Sequence, residues 1–400
     1  MATAIDNALP RPRATVDVED RLAYMALILT PGVGSTRALR AVSKTAVPAD
    51  LFSMSLTQLE GMGMPAASAR HFFEGKSRTL ALAEVGRIGE QGAGFLTHDC
   101  ADYPERLREI YDPPAVLWFR GDTSLLALPG IAVVGTRHPS PYGSGMAQML
   151  SRELAARGLV ILSGMARGVD TEAHKGALDA RGKTVAVWGT GVDVIYPKEN
   201  KRLAEQILMA GGCIVSEFPL GTFPAPQNFP VRNRVLSGMS VGVLVVEAAE
   251  HSGTRITARC AMEQNRDVYA VPGNVTNKGS WTPNTLIKQG AKLTATWEDV
   301  WEDLPSEVRL ELEDRLGKSA SSGDESSGRA IASLFDDGNL PPTDRLVFSQ
   351  LRADESTQLD ELIESLDGQL QSPEIFTALF ELELAGRIRQ MPGKNYVRTF

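Results

Sequence analysis

IAVVGTRHPSPYG (residues 131–143) sets four apolar, mostly β-branched residues directly against a glycine, a threonine and an arginine. A continuous apolar run of this length, bounded by a small-residue turn, reads as a strand buried on both faces, the kind found in parallel sheets. The turn that follows such a strand commonly holds an anion, because exposed backbone amides and the next helix N-terminus converge there. The three-glycine spacing of a dinucleotide fingerprint is missing, and an arginine stands where that fingerprint carries no charge. Arg137 offers a permanently charged, bidentate fork suited to phosphate.

The same pattern recurs outward from this point. Strands are expected at Ile131–Val134, Leu159–Leu162, Thr184–Val187, Cys213–Val215, Val241–Val246, Val268–Val271 and roughly Lys292–Ala295, with helical patterns between most of them. That alternation implies a Rossmann-like, doubly wound and mostly parallel α/β sheet over about residues 95–303, with ligands beyond the carboxyl ends of the strands.

Each strand exit therefore bears reading for chemistry. The first gives Gly135, Thr136 and Arg137: close backbone approach, a hydroxyl and a cation. The second, SGMARGVDTEAH, supplies Ser163, Gly164 and Arg167 at a helix start. There Asp170 is expected to cap the helix or order its loop, and His174 to be a helix-face partner rather than a base. The third, WGTGVDVIYPKENKRL, supplies Gly189, Thr190 and Gly191, then Lys198, Lys201 and Arg202 after Tyr196-Pro197. The fourth ends in NFPVRNR, where Asn228, Phe229, Arg232, Asn233 and Arg234 combine a stacking ring, cations and amides that suit unpaired nucleotides. The fifth, EAAEHSGTRITARC, places Ser252, Gly253 and Thr254 before another helix; the sixth exits through VPGNVTNKG.

The whole chain of 400 residues carries a formal net charge of −8, which alone argues against a nucleic-acid partner. Residues 131–240 nevertheless hold 12 Lys/Arg against 8 Asp/Glu, so a basic rim is compatible with an acidic molecule. Three widely spaced cysteines suit a reducing cytoplasm rather than a disulfide framework, and five scattered histidines offer no metal-ligand spacing. No apolar run of about 18 residues marks a membrane span, and the first residues lack the apolar core of a secretory signal. A Lys-Ser/Thr phosphate loop, a nucleophile–base pair and clustered catalytic carboxylates are all missing, so no cofactor and no catalytic residue is expected.

Outside the sheet, residues 1–19 read as a disordered start and 20–90 as a helical domain. PGVG (31–34) and GMG (61–63) each separate two helical patterns, with Ser35 or Thr36 expected to cap the second helix. Such units fit either phosphate-gripping helix-hairpin-helix motifs or plain tight turns between helices. Residues 304–340, acidic and then Ser-rich, read as a linker. Residues 341–400 give three helical patterns and a two-stranded wing, a winged helix. Its recognition-helix segment PEIFTALFELELAG is acidic, which favours protein contact at least as much as DNA.

IAVVGTR, SGMARGVDTEAH, GTGVDVIYP, SEFPLG with NFPVRNR, EAAEHSGTRITA and VYAVPG, in this order, resemble the DNA-processing protein A (DprA/Smf) family. The resemblance covers almost the whole chain, including a SAM/helix-hairpin-helix-like N-terminal domain and a C-terminal winged helix. It implies a single-stranded DNA-binding protein that protects incoming strands and loads RecA recombinase in natural transformation, and a homodimer formed through the Rossmann-like domain. It also implies that Arg137 and Lys198 contact phosphate and that Phe229 with Arg232-Asn233-Arg234 holds nucleotide. SGTRIT departs from the family's common SGSLIT at Arg255, which adds a phosphate contact or faces solvent. Two other readings stand beside this one. A phosphoribohydrolase would need a Pro-Gly-Gly-x-Gly-Thr loop and a downstream glutamate, where this chain has EHSGTRITA. A protein adaptor would use the basic rim for acidic partners without DNA affinity.

Overall fold

The computed structural model describes residues 17–320, 341–352, 356–366, 368–384 and 387–398. The expected disordered start therefore lies outside the described residues up to position 16, as does the Ser-rich part of the expected linker, 321–340. Asp17 accepts a hydrogen bond from the Glu19 amide and opens α1 (Val18–Ile28). Then come α2 (Ser35–Ser43), α3 (Leu56–Gly61), α4 (Ala66–Phe73) and α5 (Lys76–Glu90). Both glycine turns fall between helices as the spacing implies. The expected hydroxyl cap on α2 is absent: Gly34 occupies the cap position, and the Ser35 hydroxyl instead accepts the Ala115 amide at 3.2 Å.

The sheet has nine strands: β1 (Gly94–Thr97), β2 (Val116–Gly121), β3 (Gly130–Val134), β4 (Val160–Ser163), β5 (Thr184–Trp188), β6 (Cys213–Ser216), β7 (Gly242–Val245), β8 (Asp267–Ala270) and β9 (Lys292–Leu293). Their order is β1-β2-β6-β5-β4-β3-β7-β8-β9. All seven expected strands are present, and β3 to β9 pair in parallel. The expectation omitted β1 and β2, which pair antiparallel with each other and with β6. β1 (GFLT) has only two apolar residues in line, whereas β2 (VLWFRG) carries an apolar run that the expected set leaves out.

Helices α6 (Glu105–Arg108), α7 (Pro141–Ala156), α8 (Val169–Asp179), α9 (Lys201–Met209), α10 (Asn228–Met239), α11 (Thr254–Glu263) and α12 (Trp281–Lys288) intervene between strands. Alternation along β3 fixes the layers. Ile131 and Val133 pack with Met146 and Leu150 of α7 on one face. Ala132 and Val134 share a cluster with Val235 and Leu236 of α10 on the other. The chain runs from β3 to β4, β5 and β6 on one side, then returns to place β7 against β3 on the other. The topological switch point therefore lies between β3 and β7, where doubly wound sheets open a crevice.

Beyond β9 the chain forms α13 (Trp297–Trp301) and α14 (Ser306–Ala320). Residues 306–320 were expected within a solvated linker. Instead Val308 and Leu312 are buried against the α7 layer, so the acidic stretch is an amphipathic helix with one apolar stripe. The C-terminal unit consists of α15 (Pro342–Gln350), β10 (Thr357–Gln358), α16 (Leu359–Ser365), α17 (Ser372–Leu384), β11 (Ile388–Met391) and β12 (Asn395–Arg398). Its strands order as β10-β12-β11, adding one strand to the expected wing around a core that includes Phe348, Leu362 and Leu379. Among the described residues, no helix is long and apolar enough to cross a membrane.

The N-terminal helices are fused to the sheet. Leu22, Met25 and Leu39 share one buried cluster with Trp118 of β2 and Trp188 of β5. Within it Glu84 of α5 is only 1% exposed. Its Oε1 accepts the Trp118 indole N–H at 3.1 Å and the Leu220 amide at 2.8 Å, and its Oε2 pairs with Arg87. Glu84→Ala strands two buried donors, each worth about 1–3 kcal/mol when left bare. The expected loss is about 2–6 kcal/mol, read as a lower urea midpoint against the parent.

Candidate nucleic-acid interface

A cleft of about 760 Å³ opens at the switch point, between the turn after β3 and the loop after β7. Gly135 ends β3 beneath it. A Cβ there would sit 2.6 Å from the Val169 side chain and 2.8 Å from the Glu247 carbonyl, so only glycine allows β3, α8 and the β7 exit to meet. The Thr136 amide donates to the Glu247 carbonyl at 2.6 Å, and the Thr136 hydroxyl accepts the His138 amide at 3.2 Å. The buried Glu247 carboxylate accepts the Ser140 amide at 2.8 Å and the Ser140 hydroxyl at 2.6 Å. These bonds fix the 135–140 turn and leave Arg137 projecting from it, exposed and with no carboxylate in ion-pair reach among the described residues.

Phe229, at the first turn of α10, forms the facing wall. Its ring lies 5.7 Å from Tyr196 and 5.8 Å from the Arg137 guanidinium, so the cleft presents an aromatic face bracketed by a cation and a second ring. Arg232 and Asn233 of the same helix line the floor. Arg232 is 7% exposed; it donates to the Val187 carbonyl at 2.5 Å and to the Asn233 side-chain oxygen at 3.1 Å. Burial pushes its guanidinium below the usual range, with Asp170 opposing that shift. A Cβ on Gly164 would fall 2.0 Å from the guanidinium, which is why this exit carries a glycine. Arg232 thus acts as a buried, fixed charge at the cleft floor, not as the free clamp its sequence position suggests.

The second strand exit differs from expectation. Asp170 accepts the Gly164 and Ala166 amides at 3.0 and 3.2 Å, so the amides expected to face an anion are already occupied by an internal carboxylate. Burial pushes the Asp170 carboxyl up, and Arg232 beside it opposes the shift. The loop-ordering role expected for Asp170 is the one observed. Ser163 is fully buried and donates to the Val133 carbonyl at 2.7 Å, which removes it from any ligand-facing set. His174 is buried against β5, with Nδ1 2.7 Å from the Thr184 hydroxyl, and desolvation pushes it down to about 3. It is a core imidazole, with no contact to Asp170.

Other expected residues divide in the same way. Thr190 donates to the Val194 carbonyl at 2.7 Å and Gly191 to the Thr222 carbonyl at 3.0 Å, so both build the turn after β5. Gly189 packs against Phe229 and its carbonyl accepts the Asn228 amide group at 3.1 Å, making Asn228 a positioning residue. Arg167 is exposed and paired with Glu199 at 2.5 Å. Lys198 and Lys201 are exposed, unpaired cations on the flank beyond Tyr196-Pro197. Ser252, Gly253 and Thr254 line the cleft at the N-terminus of α11, with the Thr254 hydroxyl donating to the Gly135 carbonyl at 3.1 Å. Arg234 points away: it pairs with Glu217 at 2.5 Å and Asp112 at 3.2 Å, behind α10. It belongs to the scaffold because consecutive-but-one helix positions lie about 200° apart. Sequence reasoning named none of His251, Lys278 and Trp281, which complete the cleft. The signal for Lys278 and Trp281 is VPGNVTNKGSW, a strand exit whose lysine and aromatic lie beyond the first turn, and His251 stands beside Ser252 in EAAEHSGTRITARC.

Among the described residues, no group of His, Cys, Asp and Glu forms a metal site. The cleft combines fixed and free cations, one prominent ring and amide side chains. Arg234→Ala leaves Glu217 buried without its counter-charge and should cost about 3–5 kcal/mol. Arg137→Ala should stay within about 0.5 kcal/mol of the parent. Paired urea denaturation curves separate the scaffold cation from the cleft cation.

Two family models match the chain: DNA recombination-mediator protein A over residues 94–305, and the DprA winged helix domain over residues 336–394. Protein Smf of Escherichia coli (strain K12) is 43% identical over 386 residues, 96% of each chain. DNA processing protein DprA of Bacillus subtilis (strain 168) is 43% identical over 217 residues, covering 54% of this chain and 73% of the relative. The X-ray structure of DNA processing protein A from Streptococcus pneumoniae aligns with a TM-score of 0.62 at 32% identity, covering 73% of this chain and 99% of that one.

Proposed function

The chain belongs to the DprA/Smf family of DNA-processing proteins, and from that premise we propose that it binds single-stranded DNA in the switch-point cleft and passes the strand to RecA recombinase. The observation that carries the reading is the Arg137–Phe229 pair: an unpaired guanidinium 5.8 Å from the centre of a partly exposed ring, at the mouth of the cleft. A ring in that place recognises a base only when the base is unstacked from its complement, so the arrangement selects single strands over duplex. Arg137, with Lys198 and Lys201 on the flank, forms the phosphate track. The buried Arg232 charge biases the floor toward anions without reaching out to them.

The cleft holds and does not transform. Two of the carboxylates at the site are engaged, Asp170 on two amides and Glu247 on Ser140, and the third, Glu250, is exposed at the rim with no nucleophile–base pairing among the described residues. A homodimer through the Rossmann-like domain would align two such tracks on one strand and raise avidity without new contacts. The recombination-mediator description supports the proposed handover to RecA, and RecA loading onto strands coated with single-strand binding protein tests it.

The direct test is binding. Arg137→Ala with Lys198→Ala should reduce the slope of log K against log salt by about 1.4, since each single-strand phosphate contact contributes about 0.7. Phe229→Ala should cost about 1–3 kcal/mol, the value of one base–aromatic stack. Fluorescence anisotropy with an oligothymidylate over a salt series reads both. Parent-like affinity and slope in the triple variant would remove the cleft from the function.

A further inference from the structure

The cleft contains a second cation–aromatic pair. Trp281 begins α12, is 39% exposed, and lines the same cavity as Phe229. The Arg255 guanidinium lies 5.4 Å from its ring centre, a spacing close to that of Arg137 over Phe229. Exposing an indole is unfavourable, and α12 does not need this one for packing: Thr282, Pro283 and Leu286 make its buried face.

The pair is also held in place. On one side of Trp281, the Gly279 carbonyl accepts the Ala248 amide at 2.7 Å. On the other, the Thr282 amide donates to the Ala248 carbonyl at 3.0 Å and the Thr282 hydroxyl to the Ala249 carbonyl at 2.8 Å. The ring therefore sits on backbone pinned to the β7 exit, and Arg255 is anchored by a 3.0 Å bond to the Glu250 carbonyl. Lys278, three residues before Trp281, is exposed and has no ion-pair partner among the described residues. Lys278, His251 and the exposed Glu250 line this end of the cleft, and Arg255 borders it through its contact with the Trp281 ring.

We propose that Trp281, Arg255 and Lys278 form a second nucleotide subsite, in which a further unpaired base of the same strand stacks on the indole while the two cations take its phosphates. This rests on the single-strand reading of the cleft and adds to it: the cavity takes at least two stacked bases, one at each ring. A rigid ring needs no ordering when a base arrives, so the stack contributes nearly its full value. Arg255 then has a role as the cation that frames the indole.

Intrinsic fluorescence gives a direct readout, because of the five tryptophans Trp118 and Trp188 are buried, Trp297 and Trp301 pack on each other against the α7-side core, and Trp281 borders the cleft. An oligothymidylate of about 20 nucleotides should quench the emission of the full-length parent, and duplex of the same length should not. Trp281→Phe should still bind yet lose the quench. Trp281→Ala should weaken binding about tenfold, the effect of one lost stack. Arg255→Ala should lower the salt slope by about 0.7. A full quench in Trp281→Phe, or parent-like affinity in Trp281→Ala, would overturn the subsite. If Phe229→Ala loses binding while Trp281→Ala does not, the subsite alone falls and the primary cleft stands. If the parent binds no single strand, both fall together.

Discussion

Glu247 ties the two halves of the sheet together at the point where they part. Its carbonyl accepts the Thr136 amide and its carboxylate accepts both polar groups of Ser140, so the turn after β3 is bound to the exit of β7 at three atoms. A switch point is otherwise a gap, because consecutive crossovers leave it in opposite directions. Here the gap is bridged beneath the cleft and left open above it. Arg137 projects from the bridged turn, and Ser252, Gly253 and Thr254 stand opposite. A carboxylate in a basic cleft appears out of place for an anion site. Engaged on Ser140, it is part of the floor.

Asp170 repeats the device one strand away. It quenches the amides at the start of α8 and lies beside the buried Arg232, so the positive floor is balanced and can be desolvated without an unpaired charge. The exposed cations Arg137, Lys198, Lys201 and Lys278 are then free to meet phosphate. The division is physical: buried charges shape the cleft, and exposed ones project from it. The overall charge of −8 has its source further along the chain, since residues 296–400 hold 22 Asp/Glu against 10 Lys/Arg.

Periodicity made the fold legible where strands were central. Residues 131–134, 185–188 and 243–246 are apolar without interruption, and each lies within or around an observed strand. β1 escaped because GFLT gives no such run, β2 has one in VLWF that the expected set leaves out, and α14 escaped because its apolar stripe is sparse amid carboxylates. For the site, position after a strand identified the right loops but not the direction of each side chain. Arg232 and Arg234 are two residues apart and indistinguishable in composition, yet the helix sends one to the cleft floor and the other to Glu217. Ser163 and Thr190 likewise occupy the correct turns with their hydroxyls spent on neighbouring carbonyls. Trp281 lay beyond the turn that was read, and only the return of α12 to the β7 exit brings it in.

Glu84 sits on a helix outside the sheet, yet it grips the Leu220 amide, nine residues before Phe229. The ring that faces the cleft is thus carried on a segment whose near end is moored to the N-terminal helices. Variation in those helices can retune ligand selectivity from a distance, with no cleft residue altered. For the same reason, excising the helical block would give a sheet with its stacking wall adrift, so a truncated chain is a poor proxy for the intact one.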